Sequence, residues 1–432
     1  MIQKPKGTYD VYGENGRKIL ALQNLLEGLM EKYNYEYVRT PLFESSELFH
    51  RGVGVTTDIV TKETYDFKDR GDRNMTLRPE GTAGVVRSYV ENKMYGNPNQ
   101  PVKTWYMGPM YRYERPQSGR FREFYQFGVE VFGTTDPASD AEVISIPVNF
   151  YKILGLKEIK VNINSLGDKE SRENYRNALI EYFKPYIDTL CDDCKERFLK
   201  NPSRILDCKV DGDKECMKHA PKTIDYLNEA SKQHFEKVCN YLNQMNIEYI
   251  INPNVVRGLD YYTHTVFEVE ANVKGFGSQN VLCGGGRYDS LVETISDVSS
   301  PGVGFALGFE RLLTALEFEN IPLVEESSLD LYIIPVSENE KDYGMGLLNA
   351  LRLSGFSADI DFQNRNVKGN FKQADRMNSK FIILLGEEEV KSKILTVKNN
   401  HTKEEYKVSV EDLIDFLDEK LDNCECGCCD GE

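Results

Sequence analysis

Residues 104–132 read TWYMGPMYRYERPQSGRFREFYQFGVEVF, and the fold class turns on this stretch. Its two ends, 104–113 and 123–132, are rich in aromatic and β-branched residues, which predicts two strands joined by a basic loop. Side chains two positions apart share a face of a strand. Phe124, Gln126, Gly128 and Glu130 therefore line one side, as do Tyr106, Gly108, Met110 and Arg112 on the preceding strand. Each set places polar residues around a central glycine, and a glycine inside a strand marks close approach of a ligand or another backbone. A plain solvent-facing sheet is the competing reading. It has little use for paired glycines beside a lone carboxylate and a lone arginine, so the pattern points to a ligand floor. In the loop, Arg115, Arg120 and Arg122 come near Arg112, and the planar, permanently charged guanidinium fork suits phosphate oxygens.

Toward the N-terminus, Ile19, Leu22, Leu25, Leu26, Leu29 and Met30 recur at helical spacing over 17–33. A strand-like YEYVRTP ends at Pro41, and LRPEGTAGVVRSYV (77–90) predicts a helix beginning near Glu80. Downstream, 165–250 carries long helical patterns rich in Lys and Glu, read as an inserted helical domain. Strands return at 260–270 and 279–284, followed by an expected glycine turn at Gly284, Gly285 and Gly286. RGLDYYTHT (257–265) puts Arg257 ahead of a strand, Asp260 at its start, and Tyr261 and Tyr262 on opposite faces. GVGFALGFERLL (302–313) reads as a glycine-rich strand and then a helix with Arg311 in its first turn. That glycine spacing matches a dinucleotide fingerprint only weakly, and no Walker A sequence is present. After the linker IPLVEESS (321–328), residues 330–421 alternate strand and helix, which suggests a compact α/β domain with a largely parallel sheet. The expected domains are a core in two parts (1–164 and 251–322), an insertion (165–250), the α/β domain (330–421) and an acidic, cysteine-rich tail (422–432).

A chain of 432 residues, 40% hydrophobic and 28% charged, buries a core without staples, which excludes the small disulfide scaffolds. MIQKPKGTYD has no apolar run behind its lysines, and FIILL (381–385) is among the longest apolar runs, so neither a secretory signal nor a membrane span is expected. A cytoplasmic protein is the expectation. The net charge of −16 is unevenly spread: 411–432 holds nine acids and one lysine, whereas 103–122 and 365–380 each hold five basic residues and one acidic. Lys372, Arg376 and Lys380 would form one stripe on a helix, either a solvated face or an RNA contact, and Arg365 precedes them. The acidic total therefore does not exclude RNA. Of the ten cysteines, Cys424, Cys426, Cys428 and Cys429 crowd the tail. Cys191, Cys194, Cys208 and Cys216 begin with a CxxC and could close a zinc site, but their later spacing is irregular. No tightly bound metal is assigned to either group.

These segments resemble the three signature motifs of the class II aminoacyl-tRNA synthetases: the helix and strand ending at Pro41, the arginine hairpin with Arg112, Glu114 and Phe124, and GFERLL with Arg311. VRGLDYYT (256–263) and GGGRYD (284–289) resemble the peptides that mark the histidyl-tRNA synthetase family. The resemblance covers nearly the whole chain. It implies an α+β fold, with an antiparallel sheet flanked by helices, a helical insertion and a C-terminal α/β domain of the anticodon-binding type. It also implies a homodimer with the first motif's helix at the interface.

By the same resemblance, ATP with Mg²⁺ would lie bent across the sheet, with Arg112 on the α-phosphate, the adenine between Phe124 and Arg311, Glu114 facing its amino group, and Arg120 on the outer phosphates. L-Histidine would be held by Glu80, Gly81, Thr82, Gln126, Glu130, Tyr261, Tyr262 and Tyr288, with Arg257 where related enzymes keep a metal ion. Arg112, Arg257 and Arg311 would carry catalysis, and His264 would be a structural strand residue. For tRNA(His), Arg115 or Gln117 would meet the extra 5′ guanosine, and Arg365, Lys372 and Arg376 would serve the α/β domain. The runner-up is a non-catalytic, histidine-sensing regulatory subunit of ATP phosphoribosyltransferase. Such relatives lack the extra domain and degrade the histidine peptides, and both are intact here. An RNA-binding protein without catalysis would not need Gln126, Glu130 and Arg257 together.

Overall fold

The structure, a computed structural model, describes the chain except residues 53, 55, 56, 58, 116–119, 207, 209, 256–258, 260, 274–279 and 426–432, with only the backbone of 422–425. Arg257, Asp260, Gln117 and the side chains of the four tail cysteines lie outside the described residues. Two units emerge, Met1–Val324 and Glu325–Glu432.

In the first unit an eight-stranded sheet runs in the order Glu36–Tyr37, Val102–Tyr111, Glu123–Phe132, Gly302–Gly308, Val281–Arg287, Thr263–Ala271, Ile159–Ser165 and Ile250–Ile251. The six central strands are antiparallel to their neighbours, and the two short outer ones pair in parallel. In the central hairpin Met110 stands opposite Phe124, Gly108 opposite Gln126, Tyr106 opposite Gly128 and Thr104 opposite Glu130, so the even-numbered side chains share one face. The odd-numbered Phe127, Val129 and Val131 enter the other face, whose core is completed by four helices. These are Gly13–Tyr33 (Leu22, Leu26, Leu29, Met30), Pro137–Ile153 (Ile144, Val148, Tyr151), Glu229–Gln244 (Phe235, Val238, Leu242) and Phe309–Phe318 (Leu312, Leu316). Leu22, Leu26, Leu29 and Met30 fall on one stripe of the first helix, whereas Leu25 points to solvent, and Asn34 in the left-handed region closes that helix.

Gly302–Gly308 repeats the alternation: Val303, Phe305 and Leu307 enter the core, and the small Gly304, Ala306 and Gly308 remain on the polar face. The expected turn at Gly284–Gly286 is instead strand, paired on both sides with Gly304–Ala306 and Val266–Glu268. The glycines there serve strand proximity, since a Cβ on Gly285 would sit 2.1 Å from the Gly304 carbonyl oxygen.

The GGGRYD strand is anchored by Arg287, which is fully buried. Its guanidinium holds Asp140 through Nε (3.1 and 3.2 Å) and also donates to the Thr134 carbonyl (2.9 Å), Ser139 Oγ (2.9 Å) and Asp289 (3.2 Å). Burial alone would raise the Asp140 carboxyl, but Arg287 and then His234 outweigh it and hold it at about 2. The second unit has a five-stranded sheet in the order Ala358–Ile360, Leu329–Pro335, Ser379–Leu385, Ile394–Asn399, Glu405–Ser409. Its first three strands are parallel, and the last two form an antiparallel hairpin.

Removing one partner of a fully buried pair strands the other charge, at a cost of about 3–5 kcal/mol. Asp140→Ala is therefore expected to lower the unfolding free energy by that order, read as a lower urea midpoint at an unchanged m-value; an unchanged midpoint would show that Arg287 does not depend on this partner.

Candidate active site

On the polar face of the sheet lies a cavity of about 340 Å³. Its lining brings together Glu80, Thr82, Gln126, Glu130, Tyr261, Tyr262 and Tyr288 with Arg112, Glu114, Arg120, Phe124 and Arg311. Phe124, Gln126 and Glu130 come from alternate positions of one strand, Thr82 and Arg311 from the first turns of helices, and Tyr261, Tyr262 and Tyr288 from residues flanking strands.

At one end sits Glu130, 1% exposed. Its carboxyl oxygens accept from Thr82 Oγ1 (2.7 Å), the Tyr106 hydroxyl (3.4 Å) and the Tyr288 hydroxyl. Burial nevertheless pushes this carboxyl up to about 8, with neighbouring Glu80 adding to the rise against those donors. Gly304 makes the position possible: a Cβ there would lie 1.9 Å from Glu130 Oε2. The Glu80 carboxylate accepts from the Thr82 and Ala83 amides (2.9 and 2.8 Å), and so satisfies the open N-terminus of the helix Thr82–Glu91. Burial raises Glu80 as well. Burial also keeps Tyr106, Tyr261 and Tyr288 protonated, so their hydroxyls serve as donors. Gln126 Oε1 is buried and has no hydrogen-bond partner among the described residues, the state of a group waiting for a ligand.

The other end is cationic. Arg112 Nε donates to the Pro79 carbonyl (2.8 Å), and its guanidinium lies 5.2 Å from the Phe124 ring centre. Glu114 stands 3.2 Å from Arg120 and 4.0 Å from Arg112. Arg311, in the first turn of its helix, donates to the Val281 carbonyl (3.1 Å). Burial, reinforced by Arg120 and Arg112, holds the Arg311 guanidinium below its ordinary value. Cations crowded together in a buried cleft are stabilised by an anion placed among them.

Several expectations need correction. Gly108 and Gly128 do not make room for a ligand: a Cβ on either would lie 2.4 Å from Arg78 Nη2 or from the Tyr106 ring, respectively. Gly81 is absent from the lining because its Cα backs onto the same Tyr106 ring. Arg115, expected at the tRNA 5′ end and not in the pocket, is exposed and outside the lining. His264 lies on the strand Thr263–Ala271, where it was expected, and outside the lining, with its ring 3.5 Å from Asp289 and beside His234. In the second unit the helix Val367–Arg376 ends before Lys380, because Asn378 takes a left-handed backbone. Lys380 sits on the next strand, 3.2 Å from Asp330, and Arg365 is tied to Asp361. The exposed stripe is instead Lys368, Lys372 and Arg376, four residues apart, with no ion-pair partner for any of them among the described residues.

Two contributors were missed from the sequence. Tyr106 was placed on the right face, yet its bond to Glu130 is legible only from the register. Glu310 lines the cavity and accepts from the Tyr125 amide (2.8 Å) and the Tyr9 hydroxyl, which ties the hairpin to the helix that carries Arg311.

An antiparallel sheet that carries a buried carboxyl pocket beside a cluster of guanidinium groups is the arrangement of the class II aminoacyl-tRNA synthetases. Comparison with known proteins narrows this. Residues 7–312 match the family model described as histidyl-tRNA synthetase, and 330–420 match that of an anticodon binding domain. The chain belongs to the histidyl-tRNA synthetase family. It is 52% identical over 415 residues to a protein of Anoxybacillus flavithermus named histidine–tRNA ligase, covering 96% of this chain and 98% of that one. With the protein of the same name from a Geobacillus strain it shares 51% over 419 residues, 97% of this chain and 99% of the other. The crystal structure of the apo histidyl-tRNA synthetase of S. aureus superposes with a TM-score of 0.84 at 44% identity, covering 96% of this chain and 100% of that one.

Glu130 gives this site a pH signature. A carboxyl raised from 4.5 to about 8 binds its proton more tightly folded than unfolded, so the stability it contributes is full below pH 4.5 and is lost as pH rises toward 8. Glu130→Gln is expected to flatten the fall in urea midpoint between these pH values. Parallel slopes for the wild type and the variant would mean that Glu130 ionises normally.

Proposed function

We propose the following roles in the family's reaction, the ATP-dependent joining of L-histidine to tRNA(His) through a histidyl-adenylate. Glu130, Tyr288, Tyr261 and Tyr262 surround the imidazole, whose two ring nitrogens require an acceptor and a donor. Glu80, Thr82 and Gln126 hold the remainder of the amino acid. Arg112 takes the α-phosphate, Phe124 and Arg311 sandwich the adenine with Glu114 at its amino group, and Arg120 reaches the outer phosphates, which Mg²⁺ accompanies. Arg257 is assigned to the reacting carboxylate and phosphate by its place in VRGLDYYT. The observation that carries this reading is the cavity itself, where the buried Glu130 carboxyl, raised to about 8, and a cationic shelf share one face.

The chemistry needs that division. The histidine carboxylate attacks the α-phosphorus, pyrophosphate leaves, and the terminal ribose hydroxyl of the tRNA then takes the acyl group. Two anions must meet, and charge grows on the phosphate oxygens in the transition state, so fixed guanidinium groups stabilise it most. The pyrophosphate and AMP products carry that charge away. The regulatory-subunit reading has less support, because the 330–420 match supplies the anticodon-binding domain and the relatives at about 50% identity are ligases.

We assign the outward side chains Leu20 and Leu25 of the helix Gly13–Tyr33, and Phe43 and Phe67 of the small sheet Phe43–Ser45, Asn74–Leu77, Tyr65–Lys68, to a homodimer interface; exposed apolar side chains in this number favour burial against a partner. Lys368, Lys372 and Arg376 are assigned to the tRNA backbone, and Arg115 and Gln117 to its 5′ end. No described helix is long and apolar enough to cross a membrane, and a cytoplasmic location is proposed.

Histidine-dependent exchange of labelled pyrophosphate into ATP tests the roles. Arg112→Ala, Arg257→Ala and Arg311→Ala are each expected to slow it about 10²–10³-fold, the effect of losing one donor to the developing charge. Exchange by the wild type with no dependence on histidine would defeat the assignment of the pocket. Charge reversal of Lys372 and Arg376 is expected to leave exchange intact and to raise the KM for tRNA in aminoacylation; equal loss in both assays would remove the stripe from tRNA binding.

A further inference from the structure

Residues 184–220 fold with little regular structure: the turns Lys184–Thr189 and Pro202–Ile205, the helix Asp192–Lys200 and the four-residue helix Glu215–Lys218. Their core is small, with Leu179, Phe183, Leu190 and Ile205 around the thiols of Cys194 and Cys208. Segments of this kind commonly rely on a staple.

At the centre, the Sγ atoms of Cys191, Cys194 and Cys208 and a carboxylate oxygen of Asp211 all lie within 4.8 Å of one another. Cys194, Cys208 and Asp211 are buried. Cys191 and Cys208 are 3.7 Å apart through sulfur. That is far beyond the roughly 2.05 Å of a disulfide, and it equals the edge, about 3.8 Å, of a tetrahedron with Zn–S bonds of about 2.3 Å. Asp211 Oδ2 stands 3.9 Å from the Cys208 sulfur and accepts from the Cys191 amide (2.9 Å), while the Asp211 amide donates to the Cys208 sulfur (3.4 Å). Lys214, 2.8 Å from the other Asp211 oxygen, offsets part of the negative charge. Cys216, which the sequence offered as the fourth ligand, is not in the group; Asp211 takes that place.

We propose that Cys191, Cys194, Cys208 and Asp211 form a closed, four-ligand zinc site that holds the insertion together. Four protein ligands leave no open position, so the role is structural and distinct from the reaction. The three thiols give up their protons to solvent as the metal binds.

The test uses the full chain with Cys424, Cys426, Cys428 and Cys429 changed to Ser, so that the tail thiols cannot contribute. Purified with zinc and dialysed, it is expected to retain about one zinc per chain, and Co²⁺ in its place is expected to give the strong charge-transfer and visible bands of a tetrahedral thiolate site. Cys194→Ser and Cys208→Ser are expected to lose the metal, and Asp211→Asn to weaken its retention. The cobalt spectrum needs no change in the insertion, so it decides the matter even where those variants misfold. Absence of bound zinc and of the cobalt bands, metal content unchanged in Cys194→Ser, or a Cys191–Cys208 disulfide in the intact mass would each overturn the proposal.

Discussion

Glu130 is a carboxyl group held out of solvent in the middle of a sheet, and much of the first unit is arranged around that fact. Such a group is stable only when uncharged or well supplied with donors. The chain provides both, with burial raising its proton affinity and Thr82, Tyr106 and Tyr288 donating to it. Each donor brings an anchored element. Thr82 begins a helix whose open amides are occupied by Glu80, and Tyr288 follows Arg287, which fixes its strand to the helix Pro137–Ile153. On the next strand, Gly304 is required by the carboxyl itself.

The same sheet face is cationic at its other end. Arg120 and Arg112 add to the burial that lowers the Arg311 guanidinium, and Glu114 stands 3.2 Å from Arg120 and 4.0 Å from Arg112. A buried carboxyl pocket and a cluster of guanidinium groups thus share one surface of the sheet. The alternation of strand side chains creates that surface and, on the reverse side, the apolar core on which the four helices pack.

That alternation is why so much was legible in the sequence. Phe124, Gln126 and Glu130 could be placed on one face by counting in twos, and Arg311 by its position after glycines. The failures share a cause, in that they concern what fills a space. Gly108 and Gly128 signalled close approach, but counting cannot say whether a ligand or another side chain, Arg78 and Tyr106 respectively, does the approaching. Gly284–Gly286 read as a turn because partners on both sides are a tertiary fact. Lys380 was assigned to a helix because Asn378, which ends it, carries only a weak local signal. Asp211 escaped notice because a carboxylate among thiols follows no cysteine spacing.

Tyr106 occupies volume that two glycines, Gly81 and Gly128, leave vacant, and its ring stands against Glu130. The ring is thus a plug as much as a donor. A molecule of water, about 30 Å³, has no room on that side of the carboxyl, which the ring fills, while its other side faces the cavity. Part of the burial that raises the proton affinity of this carboxyl therefore comes from a residue outside the cavity lining.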